Sequence, residues 1–182
     1  PYGSYSISAV ADPVAGETDT TNNMRSDGLI KVTIIGDANG ADKAVQEYLQ
    51  SRGYDNVEVF CMEGGCRNNL GGWTTIVVSG KGRKGFAYYA TKDQLMAEEA
   101  SFGFMVWDGN SLGTLANVFR LLKQRKKVVV YNAEAKTFST LRSTRDWNEF
   151  VSGCHREVRQ RINQYAYAED EEHAAVRQAR LF

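Results

Sequence analysis

Ile34-Ile35-Gly36-Asp37-Ala38-Asn39-Gly40-Ala41-Asp42-Lys43 carries a β-branched run into a glycine-containing turn that opens directly onto an amphipathic helix. Lys31-Val32-Thr33-Ile34-Ile35 has the content of a buried strand. Ala41, Ala44, Val45, Tyr48 and Leu49 then recur at helical spacing, and Gly53 ends the pattern. At such a corner the first amides of the helix lack intrahelical partners and the aligned peptide dipoles add partial positive charge. An anion satisfies both.

Working outward, the same syntax returns. Asn56 to Phe60 and Trp73 to Val78 read as strands separated by a polar, glycine-rich loop, and Phe86 to Ala100 as a helix. Phe102 to Trp107 is an apolar strand closed by Asp108-Gly109. Leu115, Val118, Phe119 and Leu122 then predict a helix over 111–125 with Ser111 as its cap. Lys127 to Tyr131 is a further buried strand and Thr137 to Leu141 a short edge strand. Ser143 with Asp146 forms a capping pair for a last helix, whose spacing continues through Val151, Cys154, Val158, Ile162 and Tyr165. Strands alternating with helices through short connections predict an α/β fold, a three-layer sandwich with a mainly parallel sheet and helices on both faces. The charged tail from Ala168 is a solvated helix, a frayed end or a dimer contact; Pro13, Gly16 and the polar run 18–23 make poor helix. There is no internal repeat.

The 182 residues fit one domain, and 42% hydrophobic content supports a substantial core. Lys+Arg and Asp+Glu both number 22, so overall charge gives no reason to expect nucleic acid or a membrane surface as partner. No apolar run is long enough to span a bilayer and no segment has the form of a secretory signal, which predicts a cytoplasmic protein. Cys61, Cys66 and Cys154 leave at least one thiol unpaired and are expected to be reduced. A zinc site from these with His155 is disfavoured, because adjacent Cys and His seldom point at one ion, and no metal is expected.

Three stretches resemble the SLOG superfamily, the Rossmann-like fold of LOG-type cytokinin-activating phosphoribohydrolases, lysine decarboxylase-like proteins and DprA, with small bacterial members of unknown function the nearest in appearance. They are Gly3-Ser4-Tyr5-Ser6-Ile7-Ser8, Gly36 through Lys43, and Trp107-Asp108-Gly109-Asn110-Ser111-Leu112-Gly113-Thr114. The resemblance spans residues 3 to about 141. It implies a nucleotide-binding domain over 1–142, a C-terminal helical extension over 143–182, and homodimerisation through helices. It also implies a nucleotide or nucleotide derivative bound at the carboxyl ends of the parallel strands. This fold would normally have a strand before the first loop, and only Pro1 and Tyr2 stand before Gly3 here, so either this sequence starts late or the sheet is short of a strand. In LOG-type enzymes the third loop is followed, one helical turn on, by a glutamate used in glycosidic cleavage. Here that turn carries Asn117, which can bond a ribose hydroxyl but has no charge to stabilise an oxocarbenium ion.

The candidate ligand-binding residues are therefore Gly3 and Ser4 in the first loop. In the second they are Gly36, Asp37, Asn39, Gly40, Ala41, Asp42 and Lys43; in the third, Asp108, Gly109, Ser111, Gly113, Thr114 and Asn117. Each loop also has a plain structural reading, as turn glycines with positive φ and as helix caps, capping being the default for Asp42. Trp73 is either a shelf for a base or a buried anchor, and Arg67 could clamp an anion. The basic loop of Lys81, Arg83 and Lys84 is either a lid or a solvated turn. Asp93 and Glu98 are the candidate catalytic carboxylates if an N-glycosidic bond is cleaved; otherwise they lie on a surface helix. The expected function is binding or sensing of a nucleotide without a further cofactor. The alternative is a nucleoside 5′-monophosphate N-glycosidase.

Overall fold

A computed structural model describes residues 5–10, 24–30, 32–80, 82 and 85–165. The elements are β1 (Tyr5–Val10), β2 (Met24–Ile30), β3 (Thr33–Gly36), α1 (Ala41–Ser51), β4 (Val57–Met62), β5 (Thr74–Val78) and α2 (Gly85–Glu99). There follow β6 (Gly103–Trp107), α3 (Leu112–Lys123), β7 (Val128–Asn132), β8 (Thr137–Leu141), α4 (Thr144–Ser152) and a helix over 156–165, here α5. Gly3, Ser4, the run 11–23, the basic residues Lys81, Arg83 and Lys84, and the tail from Ala168 lie outside the described residues.

The molecule is α/β, and its layout is compatible with a Rossmann-like fold. The mainly parallel pairing holds, but in two sheets rather than the one expected: β3-β4-β5 is wholly parallel, while β6-β7-β8 is a second sheet in which β8 runs antiparallel to β7. The β7–β8 connection is the physical reason for that reversal, because a turn of a few residues can join only antiparallel neighbours. β1 and β2 pair antiparallel as a separate ladder with an irregularity between Ser6 and Ser8.

Strand alternation divides the first sheet between two helices. Val57, Val59 and Cys61 point with Ile35 toward Leu49 of α1, while Phe60 and Met62 point with Ile34 and Val78 toward Leu95 of α2. One face of the second sheet carries the core. Trp107, Val128, Val130 and Leu141 join Leu115 and Val118 of α3, Trp147 of α4, and Val158 and Ile162 of α5 in the largest core cluster. Each such side chain removed from water contributes about 1.5–3 kcal/mol before entropy is counted. The opposite face carries Phe104 and Phe138, each more than half exposed, with Tyr131 tilted against Phe138 at 4.8 Å between ring centroids and Val129 buried among them. Helices on both faces thus hold for the first sheet and not, among the described residues, for the second.

The caps bear out the local reading at two helices. Ser111 Oγ accepts from the Thr114 amide at the start of α3, and Ser143 Oγ accepts from the Asp146 amide at the start of α4. No helix among the described residues is long and apolar enough to cross a membrane.

Candidate functional site

β3 ends at Gly36, and the chain turns through Asp37 to Gly40 before α1. Gly36 is required by a close approach: a Cβ there would lie 2.2 Å from Asp42 Oδ2 and 3.0 Å from Lys92 Nζ. Gly40 stands at the N-cap with φ of 90°, and no side chain caps the helix. Asp42 is not the cap; it turns back so that Oδ2 accepts from the Ala38 amide at 3.1 Å. The first turn of α1, from Ala41 to Lys43, therefore presents its amides without a capping side chain. Lys43 is exposed beside it and reaches Glu47 at 3.8 Å.

Asp37, only 2% exposed, is the centre of a buried charge cluster. Its Oδ1 accepts from Lys92 Nζ at 3.0 Å and Arg67 Nη2 at 2.9 Å; its Oδ2 accepts from the Arg67 backbone amide at 3.0 Å and Nε at 3.3 Å. Burial opposes ionisation, but the Arg67 and Lys92 contacts outweigh it and hold the carboxyl well below the usual carboxylate range. For Asp42 the balance is reversed. Burial, with Asp93 and Asp37 nearby, pushes its carboxyl up despite the Lys92 charge.

Lys92 and Asp93, adjacent on α2, join this cluster to α3. Lys92 is itself buried, and Asp93 lies 3.9 Å from its ammonium and 4.0 Å from Arg120. Asn117 bridges the two charges of the far side: its Nδ2 donates to Asp93 Oδ2 at 3.2 Å and its Oδ1 accepts from Arg120 Nη1 at 2.6 Å. Arg120 also donates to the Tyr165 hydroxyl, which ties α5 to the same network. The side chains of Asp37, Asp93 and Asn117 are brought together in this way. Glu98 is not among them: it is exposed, and its carbonyl accepts from Lys126 at 2.6 Å. It stands five positions after Asp93, a spacing that puts the two side chains on different sides of a helix.

At the β6–α3 corner, Asp108 Oδ1 accepts from the amides of Asn110 at 3.0 Å and Ser111 at 2.6 Å, which hold its carboxyl below the usual range. Thr114 donates its hydroxyl to Ser111 at 3.1 Å, and Gly113 faces open space. Gly109, at φ of 81°, lies close to the Glu134 carboxylate.

The loop after β4 closes the site from the other side. Asn68 Nδ2 donates to the Asp37 carbonyl at 2.8 Å and to Asn39 Oδ1 at 3.0 Å. Gln46, wholly buried on α1, donates to the Gly36 carbonyl at 2.8 Å and accepts from the Leu70 amide at 3.1 Å. Trp73 takes its buried reading: it packs with Leu49 and Val59 and donates to the Tyr54 carbonyl at 2.9 Å, so its ring is not a shelf for a base. Cys61 and Cys66 form a disulfide across the loop, which corrects the expectation of reduced thiols; their α-carbons stand 5.0 Å apart, within bridging reach. Cys154 is free.

Sequence reasoning missed Arg120 and Gln46. Neither lies on the apolar stripe of its helix, and each is held by partners distant in sequence, Tyr165 for Arg120 and Leu70 for Gln46, so no local pattern signals them. No protein-family model, curated protein or solved structure matches this chain.

Proposed function

We propose that the chain is a nucleotide-binding protein of the SLOG type. The phosphate lies at the uncapped first turn of α1, next to Lys43, and the sugar lies on the side of Asn117, since the Asp37 carboxylate is buried and taken up by Arg67 and Lys92. One observation carries the reading: two consecutive residues of α2, Lys92 and Asp93, contact Asp37 at the end of β3 and Asn117 on α3. The end of β3 in the second stretch is thereby coupled to Asn117, one helical turn after the third stretch, through a largely buried polar network. The proposed setting is the cytoplasm, where the Cys61–Cys66 pair would stand mainly as thiols. The resemblance further implies a homodimer.

A second reading, N-glycosidase activity, is favoured by Asp93, a partly exposed carboxylate whose Oδ2 is oriented by Asn117. It could support positive charge at the anomeric carbon while water replaces the base: the carbon–nitrogen bond breaks, the water oxygen joins the carbon, and a proton leaves with the base. Incubating the full chain with nucleoside mono-, di- and cyclic phosphates separates the readings. A thermal shift without free base supports binding. Free base that disappears in Asp93→Asn supports hydrolysis, and neither signal refutes both.

A further inference from the structure

The guanidinium of Arg67 is held in one plane by two contacts at right angles in function. Its edge is fixed by the paired hydrogen bonds from Nε and Nη2 to Asp37, and one face lies over the Tyr89 ring, Cζ 4.8 Å from the ring centroid. The Arg67 side chain nonetheless remains 40% exposed and Tyr89 43% exposed, so the pair forms a surface shelf above a carboxylate that is itself buried. Next in sequence, Asn68 reaches Asn39 in the turn that leads to α1. The shelf therefore adjoins the first turn of α1.

We propose that this Arg67–Tyr89 shelf is the base subsite of the nucleotide site, taking a planar nucleobase, purines ahead of pyrimidines, by stacking. The inference rests on the nucleotide reading above and assigns the base a place which Trp73, being buried, cannot supply. A guanidinium is weakly hydrated and flat, and stacks on π systems where an ammonium does not. Here its orientation is set before any ligand arrives, so little rotamer entropy is lost on stacking. Purines present the larger face, which gives the direction of the preference.

The test is calorimetric titration of the full chain with AMP, UMP and ribose 5-phosphate, repeated for Tyr89→Ala and Arg67→Lys, with circular dichroism to verify folding. Arg67→Lys keeps the positive charge toward Asp37 and removes the plane. The wild type is expected to bind AMP about tenfold or more tightly than ribose 5-phosphate. UMP should lie between, and both substitutions should bring the AMP to ribose 5-phosphate ratio toward one. Equal affinity of the wild type for AMP and ribose 5-phosphate would overturn the shelf while leaving the phosphate site standing, as would a ratio that survives both substitutions. No binding of any of the three would remove the nucleotide reading and the shelf with it.

Discussion

Lys92 Nζ lies 3.0 Å from Asp37 Oδ1, with both side chains almost wholly excluded from solvent. A charge in that position is tolerable only while its partner is present, because desolvation is offset by the mutual attraction and the hydrogen bonds. Lys92→Met should therefore lower stability by about 3 kcal/mol or more, read by urea denaturation at neutral pH. A loss below about 1 kcal/mol, the range of exposed ion pairs, would contradict the burial of this pair.

The two carboxylates beside Lys92 should respond to acid in opposite senses. The Asp37 carboxyl is held low in the folded state, so its contribution is present above the unfolded value of about 4 and is lost as pH falls below it. Asp37→Asn should lack that component of the acid limb. The Asp42 carboxyl is pushed up, so its favourable contribution is present below the unfolded value and is lost as pH rises through the folded one. Asp42→Asn should then stabilise the protein at neutral pH relative to the wild type and make little difference near pH 3, as denaturation curves at the two pH values would record.

These side chains mark the boundary of what the sequence could disclose. The β3–α1 corner and the caps at Ser111 and Ser143 were legible because strand content, helical period and the three-residue cap spacing are local patterns. Asp37 meets Arg67 across 30 residues and Lys92 across 55, and no local pattern reports such a pairing. Trp73 suits a shelf and an anchor equally by sequence, and only its tertiary neighbours Tyr54 and Leu49 decide for the anchor. The separate pairing of β3-β4-β5 and β6-β7-β8 likewise depends on tertiary hydrogen bonding.

The disulfide spans a sequence separation of 5, and the residue following Cys66 is the one that holds Asp37. Closing so short a loop stabilises by about 2 kcal/mol in the chain-entropy account. Cys66→Ser should lose that amount, and a dithiol reductant should lower the stability of the wild type but not of the variant. Equal sensitivity of the two proteins would show that the bond contributes nothing.

Strand β8 offers an internal control, since Leu141 points into the core and Phe138 out of it. Leu141→Ala should cost about 2–5 kcal/mol through lost contacts and a cavity. Phe138→Ser should cost under about 1 kcal/mol, surface substitutions being nearly neutral. Chemical denaturation of both variants checks the register, and reversed magnitudes would mean that the faces of the second sheet are assigned the wrong way round.

The most direct measurement is a set of amide chemical-shift changes in the full chain on addition of AMP. The account predicts saturable shifts centred on Ala41, Asp42 and Lys43, extending to Gly113 and Asn117. An unchanged spectrum, or shifts confined to the Phe104 and Phe138 face, would contradict it.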